Sequence, residues 1–93
     1  MYNAMIIDEK DNVAVAIETV KKGENFVWKD KQGKNCELPA LEDVEIYHKF
    51  AIKDIKEGEP VVKYGEHIGL AKYDVKPGSH VHTHNVENHR ENL

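Results

Sequence analysis

The sequence predicts a mainly β protein, and three observations lead to that prediction. A short motif ending in glycine recurs three times, the stretches between its copies alternate apolar and polar residues, and helical periodicity is almost absent. Alternation with a period of two is typical of strands with one buried face, and glycine allows the positive φ that closes a turn. The 93 residues match the length of one small domain. We therefore expect a single compact domain over residues 1–93.

The recurring motif runs from an alanine through a β-branched residue to a glycine, always with the same spacing. Its copies are Ala16–Gly23, Ala51–Gly58 and Ala71–Gly78. The fourth position holds Thr or Asp, whose side chain can bond the nearby backbone, and the fifth holds Val or Ile. The copies start 35 and 20 residues apart, so they are not units of a solenoid with a fixed period. Each copy predicts a strand that enters a turn.

The stretches between the copies read as short strands. Phe26-Val27-Trp28 ends at the polar stretch 29–35, which is typical of a turn, and residues 45–52 alternate well enough for a longer strand. Residues 60–64 and 67–71 flank Gly65-Glu66 in the pattern of a hairpin. Helical signal is limited to two places. Leu38–Val44 could form one turn with Pro39 at its first position, and Asn12 could cap a short helix in place of entering a strand.

Composition excludes several classes of function. Seventeen acidic residues against thirteen basic ones give a net charge of −4, which disfavours a nucleic-acid partner held by phosphate contacts. The longest apolar run, Val13–Ile17, is far shorter than the roughly 20 residues of a membrane span. A single cysteine, Cys36, excludes a disulfide framework. The first residues lack the pattern of a signal peptide, so we expect a cytoplasmic protein.

Histidine is the one residue type whose distribution points to chemistry. Of six histidines, His80, His82 and His84 alternate along one short segment, so an extended backbone would place them on one face about 7 Å apart. Neighbouring imidazoles could then share a divalent ion of the Zn, Fe, Ni or Cu type, which could act as a Lewis acid. Thr83 and Asn85 add hydrogen-bonding groups suited to a hydroxylated substrate. The same run would also suit a solvent-exposed strand face without a ligand.

Four segments of the chain closely resemble the SAF domain of altronate/galactarate dehydratases. They are Asp11–Ala14, His48–Gly65, Ile68–Ala71 and His80–Asn85. The likeness is weak only over Phe26–Ala40. In that family the domain is either fused to a large catalytic domain or forms a separate small subunit of about this length. The resemblance implies a compact β-clip fold, to which the residues themselves add one or two short helical turns.

The resemblance also implies an activity and a set of site residues. The activity is that of a carbon–oxygen lyase that removes water from a sugar acid with a divalent metal, Fe²⁺ first and Mn²⁺ or Zn²⁺ as alternatives. The clustered histidines would be both catalytic residues and metal ligands: His80, His82 and His84. Four further residues would bind substrate: His48, Lys49, Thr83 and Asn85. Glu45 and Tyr47 depart from the family, which usually has Pro and Gly shortly before its His-Lys pair.

The leading hypothesis is therefore a small subunit that is inactive alone and completes an active site with a large catalytic subunit on a small hydroxy acid. A non-catalytic module that binds a sugar acid or a metal is one alternative. A small subunit of a related sulfo-lyase, which eliminates sulfite, is the other. We expect residues 86–93 to form a flexible tail that becomes ordered on the large subunit, and we leave a homo-oligomer open.

Overall fold

Nine short β-strands and no helix make up the part of the chain that the computed structural model describes, residues 2–82 and 84–87. The prediction of a mainly β protein is confirmed. The strands are β1 (Ala4–Met5), β2 (Val13–Ala16), β3 (Asn25–Lys29), β4 (Asn35–Pro39), β5 (Lys49–Ala51), β6 (Pro60–Lys63), β7 (Glu66–Ala71), β8 (His80–Val81) and β9 (Val86–Glu87). Within these residues, no helix could cross a membrane.

A four-stranded antiparallel sheet in the order β1-β2-β5-β8 lies between two apolar clusters. Residues paired directly across an antiparallel sheet point to the same side. Ala14 pairs with Phe50 and faces the first cluster, whereas Val13 pairs with Ala51 and faces the second. Both faces of the sheet are therefore buried, which explains why β2 is apolar at every position.

Four quasi-equivalent turns, rather than three, hold the fold together. The additional one is Ala40–Tyr47, which has the alanine, the Asp43 and the Val44 of the motif but ends in tyrosine. The turns associate in two pairs, in which the β-branched residues exchange two backbone hydrogen bonds of 2.7–2.9 Å: Val20 with Val44, and Ile55 with Val75. All four of these side chains are buried. Each pair thus joins two turns distant in sequence.

A hairpin lies between the two turns of each pair and covers one cluster. The β3–β4 hairpin places Phe26 flat against Phe50, with ring centroids 3.6 Å apart, and Trp28 edge-on to the same ring. The β6–β7 hairpin contributes Val61 to the second cluster. Its turn is centred on Tyr64 and Gly65, both with positive φ, as a tight type I′ connection requires. The predicted hairpin around Gly65 is confirmed, with its turn one residue earlier, and the turn predicted over residues 29–35 joins β3 to a strand that was not predicted, β4.

The two predicted helical turns are wrong. Leu38 and Pro39 end strand β4, and the residues that follow form the second of the four turns, because Val44 pairs with Val20 rather than with its own neighbours. Asn12 caps no helix. Its side chain donates to the carbonyl of Pro60 and accepts from the amide of Val62, which ties the start of β2 to β6.

The long strand predicted over residues 45–52 is also wrong in extent. Only Lys49–Ala51 is strand, because Glu45 and His48 close a turn through a backbone hydrogen bond of 3.0 Å. Of the predicted tail 86–93, residues 86 and 87 form β9, which pairs with Ala71 and Leu70 of β7. Residues 88–93 lie outside the described part of the chain.

Two turn glycines allow the first test of this architecture. Gly58 and Gly78 have φ near +90°, but only Gly78 is crowded: a Cβ there would overlap the carbonyl oxygen of Pro39. Gly58→Ala should therefore lower the free energy of unfolding by about 1–2 kcal/mol, the strain of a left-handed residue. Gly78→Ala should lower the free energy of unfolding by a clearly larger amount, because the overlap with the carbonyl oxygen of Pro39 adds to the same backbone strain. Urea denaturation of both variants measures the difference, and equal losses would contradict the packing of the second turn against Gly78.

Candidate functional site

Four imidazoles gather at the edge of the central sheet, and we call them the histidine cluster: His48, His80, His82 and His84. Their ring centroids lie 5.0–5.7 Å apart in the pairs 48–80, 48–82, 80–82 and 80–84, with interplanar angles of 17–34°. His48 and His80 are half-buried, and His82 and His84 are exposed. The structure therefore brings the three predicted catalytic histidines together and adds His48.

Strand pairing explains how His48 joins residues more than thirty positions away. β5 and β8 pair antiparallel, with Phe50 opposite His80 and Lys49 opposite Val81. His80 is thus on the side of the sheet that carries Phe50. His48, two residues before Phe50, and His82, two residues after His80, stack on that same side. The cluster is therefore built on the sheet face that also supports the first apolar cluster.

His48 and His80 form a hydrogen-bonded pair. Nδ1 of His48 lies 2.9 Å from Nε2 of His80, so one nitrogen carries the proton and the other accepts it. Burial lowers the pKa of His80 below its ordinary value, and the neighbouring charges of His48 and His84 lower it further. The carboxylate of Glu42 acts in the opposite direction. His80 is accordingly a neutral imidazole near neutral pH, and one proton lies in its hydrogen bond with His48.

Asn85 shapes the loop that carries the exposed histidines. Its side chain is buried, its Oδ1 accepts from the backbone N–H of His82 at 2.9 Å, and its Nδ2 donates to the carbonyl of His80 at 2.7 Å. The backbone N–H of Asn85 donates in turn to the carbonyl of His82. The side-chain amide of Asn85, which is predicted to bind substrate, thus has both of its polar atoms hydrogen-bonded to the backbone of its own loop. A direct substrate contact of Asn85 stays a prediction.

Glu42 is a site residue that the sequence reasoning missed. Its Oε2 accepts the backbone N–H of His80 at 3.0 Å, which places a carboxylate beside the histidine cluster. It lies in the second turn, held there because Leu41 N–H donates to the carbonyl of Gly78. The sequence signal that could have revealed Glu42 is the motif Ala40-x-x-Asp43-Val44 around it, which marks a fourth turn of the same kind as the other three.

A polar cleft of about 270 Å³ adjoins the cluster. Seven residues line it: Glu42, Tyr73, Asp74, Val75, Ser79, His84 and Asn85. The hydroxyl of Tyr73 donates to the carbonyl of His84 at 3.2 Å and so fixes one wall. Carboxylates, hydroxyls and an imidazole are groups that hydrogen-bond hydroxylated molecules. The cleft can therefore hold the hydroxyl groups of a small ligand next to His84.

Lys49 lies on the opposite side of the sheet from His48. It pairs with Val15 and Val81, whose side chains share its face. Burial lowers the pKa of Lys49, and the nearby positive charge of Lys63 adds to the effect. Among the described residues no carboxylate forms an ion pair with either lysine. The structure thus separates two residues that were predicted to act together, and a role of Lys49 in carboxylate binding stays a prediction.

The described residues do not complete a metal site by themselves. No three histidine, cysteine or carboxylate side chains among them are placed to hold one ion. Thr83, predicted to bind substrate, lies outside the described residues. Metal binding by His80, His82 and His84 therefore stays a prediction, and further ligands would have to come from elsewhere.

Comparison of the sequence with known proteins identifies the family that the chain resembles. The model of the altronate/galactarate dehydratase SAF domain matches residues 2–89. Altronate dehydratases of Bacillus subtilis and Escherichia coli are 33% and 41% identical over 87 and 83 residues, covering 94% and 89% of this chain. The chain spans only 16% of either enzyme. The (2R)-sulfolactate sulfo-lyase subunit alpha of Chromohalobacter salexigens is 34% identical over 88 residues, which cover 92% of this chain and 94% of that subunit.

The pKa of His80 provides a test of the cluster geometry. His48→Gln removes a neighbouring positive charge and should raise the pKa of His80, whereas Glu42→Gln removes a negative one and should lower it. NMR titration of the imidazole signals of the metal-free chain measures both shifts. Because folding lowers this pKa, the unfolded chain binds protons more readily, so stability should fall as the pH drops below about 6.5. Shifts of the same sign in the two variants would contradict the arrangement.

Asn85 provides a second test. Asn85→Ala leaves the N–H of His82 and the carbonyl of His80 without their side-chain partners, which should cost about 1–3 kcal/mol in the free energy of unfolding. The exposed histidines should also lose their fixed position, visible as averaged chemical shifts of His82 and His84. Ser79→Ala, on the same segment, serves as the control. An unchanged stability of Asn85→Ala would show that the loop does not depend on this amide.

Proposed function

We propose a lyase function for this chain, which belongs to the SAF-domain family of altronate/galactarate dehydratases. In this proposal it is a small subunit that contributes the histidine cluster to an active site completed by a large subunit. The observation that carries the proposal is the gathering of four imidazoles beside a polar cleft at the sheet edge. A chain of this size exposes such a site rather than enclosing it. We place the complex in the cytoplasm.

The proposed reaction removes water from a hydroxy acid. A base takes the proton next to the carboxylate, the electron pair forms the carbon–carbon double bond, and the β-hydroxyl leaves with a proton from an acid. His80 is suited to accept the first proton, because burial lowers its pKa and so keeps the ring uncharged near neutral pH, while Nδ1 of His48 lies 2.9 Å from its Nε2. His84, at the border of the cleft, is placed to donate to a leaving hydroxyl.

The cleft would orient the substrate. Glu42 and Ser79 can accept or donate hydrogen bonds to hydroxyl groups, and His84 lies at the same wall. Lys49, on the other face, would reach the substrate carboxylate only if the ligand extended around the start of β5. We therefore propose that this chain recognises the hydroxyl groups of the substrate and that the large subunit provides the main contacts to its carboxylate.

A divalent metal, Fe²⁺ first and Mn²⁺ or Zn²⁺ as alternatives, is part of the proposal. His80, His82 and His84 would offer nitrogen ligands, and the large subunit would provide the remaining ones, since the described side chains do not converge. Such an ion, when bound, would act as a Lewis acid toward the substrate oxygens. A histidine nitrogen that ligates the ion has no free lone pair, so the proton-transfer roles would then belong to the histidines of the cluster that do not ligate it.

Elimination of sulfite is the second candidate reaction. It is favoured by one observation: the chain matches nearly the full length of a sulfo-lyase subunit alpha but only a small part of the dehydratases. Removal of the proton next to the carboxylate would be the same, and only the leaving group would differ. A non-catalytic binding module, which needs no large subunit, is the remaining alternative.

Reconstitution tests the proposal. The chain is purified with the large lyase subunit of the same organism, the metal content is measured, and hydroxy acids and sulfolactate are offered as substrates. His82→Ala should reduce turnover by at least about a hundredfold, because it removes a proposed nitrogen ligand and a ring that packs against His48. His67→Ala, on β7 and outside the cluster, is the control.

The outcomes separate the alternatives. Unchanged turnover of His82→Ala would refute the catalytic role of the cluster. Sulfite as the product would select the second reaction over the first. Micromolar binding of a sugar acid or metal by the chain alone, measured by calorimetry and without any turnover in the mixture, would favour the binding module.

A further inference from the structure

Tyr47 is an anomaly that the quasi-equivalence of the four turns reveals. The last position of the turn is glycine in three copies, with φ of +92° at Gly23, +85° at Gly58 and +91° at Gly78. The fourth copy has Tyr47 at φ +69°. An L-residue with a large side chain rarely adopts this region. The fold therefore prefers glycine here, and this chain places tyrosine in a strained conformation.

Nothing in the described part of the chain compensates this strain. The backbone N–H of Tyr47 donates to the carbonyl of Ala16 at 2.6 Å, and glycines make the same bond in the other copies. The side chain is 72% exposed, and among the described residues no hydrogen bond or ring contact reaches it. Tyr64, the other tyrosine with positive φ, differs because the ammonium group of Lys63 lies 4.7 Å from its ring centroid.

The position of Tyr47 connects it to the site. It directly precedes His48, and two more residues of the same turn expose apolar side chains: Leu41 and Ile46, each at 42%. We call these three residues the second-turn patch: Leu41, Ile46 and Tyr47. Leu41 also lies against Gly78, two residues before His80. The patch therefore borders the histidine cluster from the side of His48 and of the turn before β8.

We propose that Tyr47 is a contact residue for the large lyase subunit, with Ile46 and Leu41 beside it. This inference rests on the proposed function. Among residues 2–82 and 84–87 no complete ligand set forms at the cluster. In the proposed function the large subunit therefore approaches the histidines. The second-turn patch is an exposed apolar surface that borders the cluster on the side of His48. Tyrosine is among the residues that most often anchor protein interfaces, because its ring buries a large area with few rotatable bonds.

The experiment compares stability with association. Tyr47→Gly should raise the urea midpoint of the isolated chain, because glycine relieves the strain and no contact is lost. The same variant should weaken the complex with the large subunit at least about tenfold, measured by calorimetry. At saturating large subunit its kcat should stay within about twofold of the original value. Gly23→Ala is the matched control: it should lower the midpoint and leave the affinity unchanged.

Each other outcome overturns the inference. A lower midpoint for Tyr47→Gly would mean that the ring packs within this chain. Unchanged affinity would mean that the large subunit does not touch it. A reduced kcat with unchanged affinity would make Tyr47 a substrate contact. If the original chain forms no complex at all, the proposed function itself fails, and this result is distinct from the preceding three.

Discussion

The backbone pairing between quasi-equivalent turns is the constraint on which the rest of the structure depends. The described strands are only two to six residues long, too short for an independent sheet. Val20 with Val44 and Ile55 with Val75 connect segments 24 and 20 residues apart, and each pair satisfies four backbone groups inside an apolar cluster. Because the alanines that begin the turns are buried as well, the turns have no room for larger residues.

This pairing also gives the chain an internal symmetry. Each half consists of a strand of the central sheet, a turn, a hairpin and a second turn, and each half has its own apolar cluster. The two halves meet at the sheet, whose alternate residues are divided between the clusters, and where the second turn packs against Gly78. The histidine cluster forms where the second half ends, because β8 pairs with β5 and brings the fourth turn against the second.

The symmetry determines what could be predicted from sequence. Three turns are predicted from their glycines, and the β6–β7 hairpin from alternation and turn residues, since these signals are local. Of the β3–β4 hairpin only the first strand and the turn are predicted. The second turn was missed because Tyr47 replaces the glycine, and the segment before it was read as helical because Pro39 also suits a helix start. The deciding interaction, between Val44 and Val20, is 24 residues away and invisible to local reasoning. The strand predicted over residues 45–52 begins only at Lys49 for the same reason, because the second turn occupies the residues before it.

The site follows the same division between local and long-range information. Alternation predicts His80 and His82 on one face, and a period of two also implies that Lys49 cannot share the face of His48. The contribution of His48 requires the pairing of β5 with β8, and that of Glu42 requires the contact between two turns. Stacked imidazoles would repel one another if all were protonated. Burial and the neighbouring histidines lower the pKa of His80 and so favour its neutral ring, the form that accepts protons and binds metals. The sheet edge keeps four imidazoles together, two of them exposed, and in the proposed function this exposed face meets the large subunit.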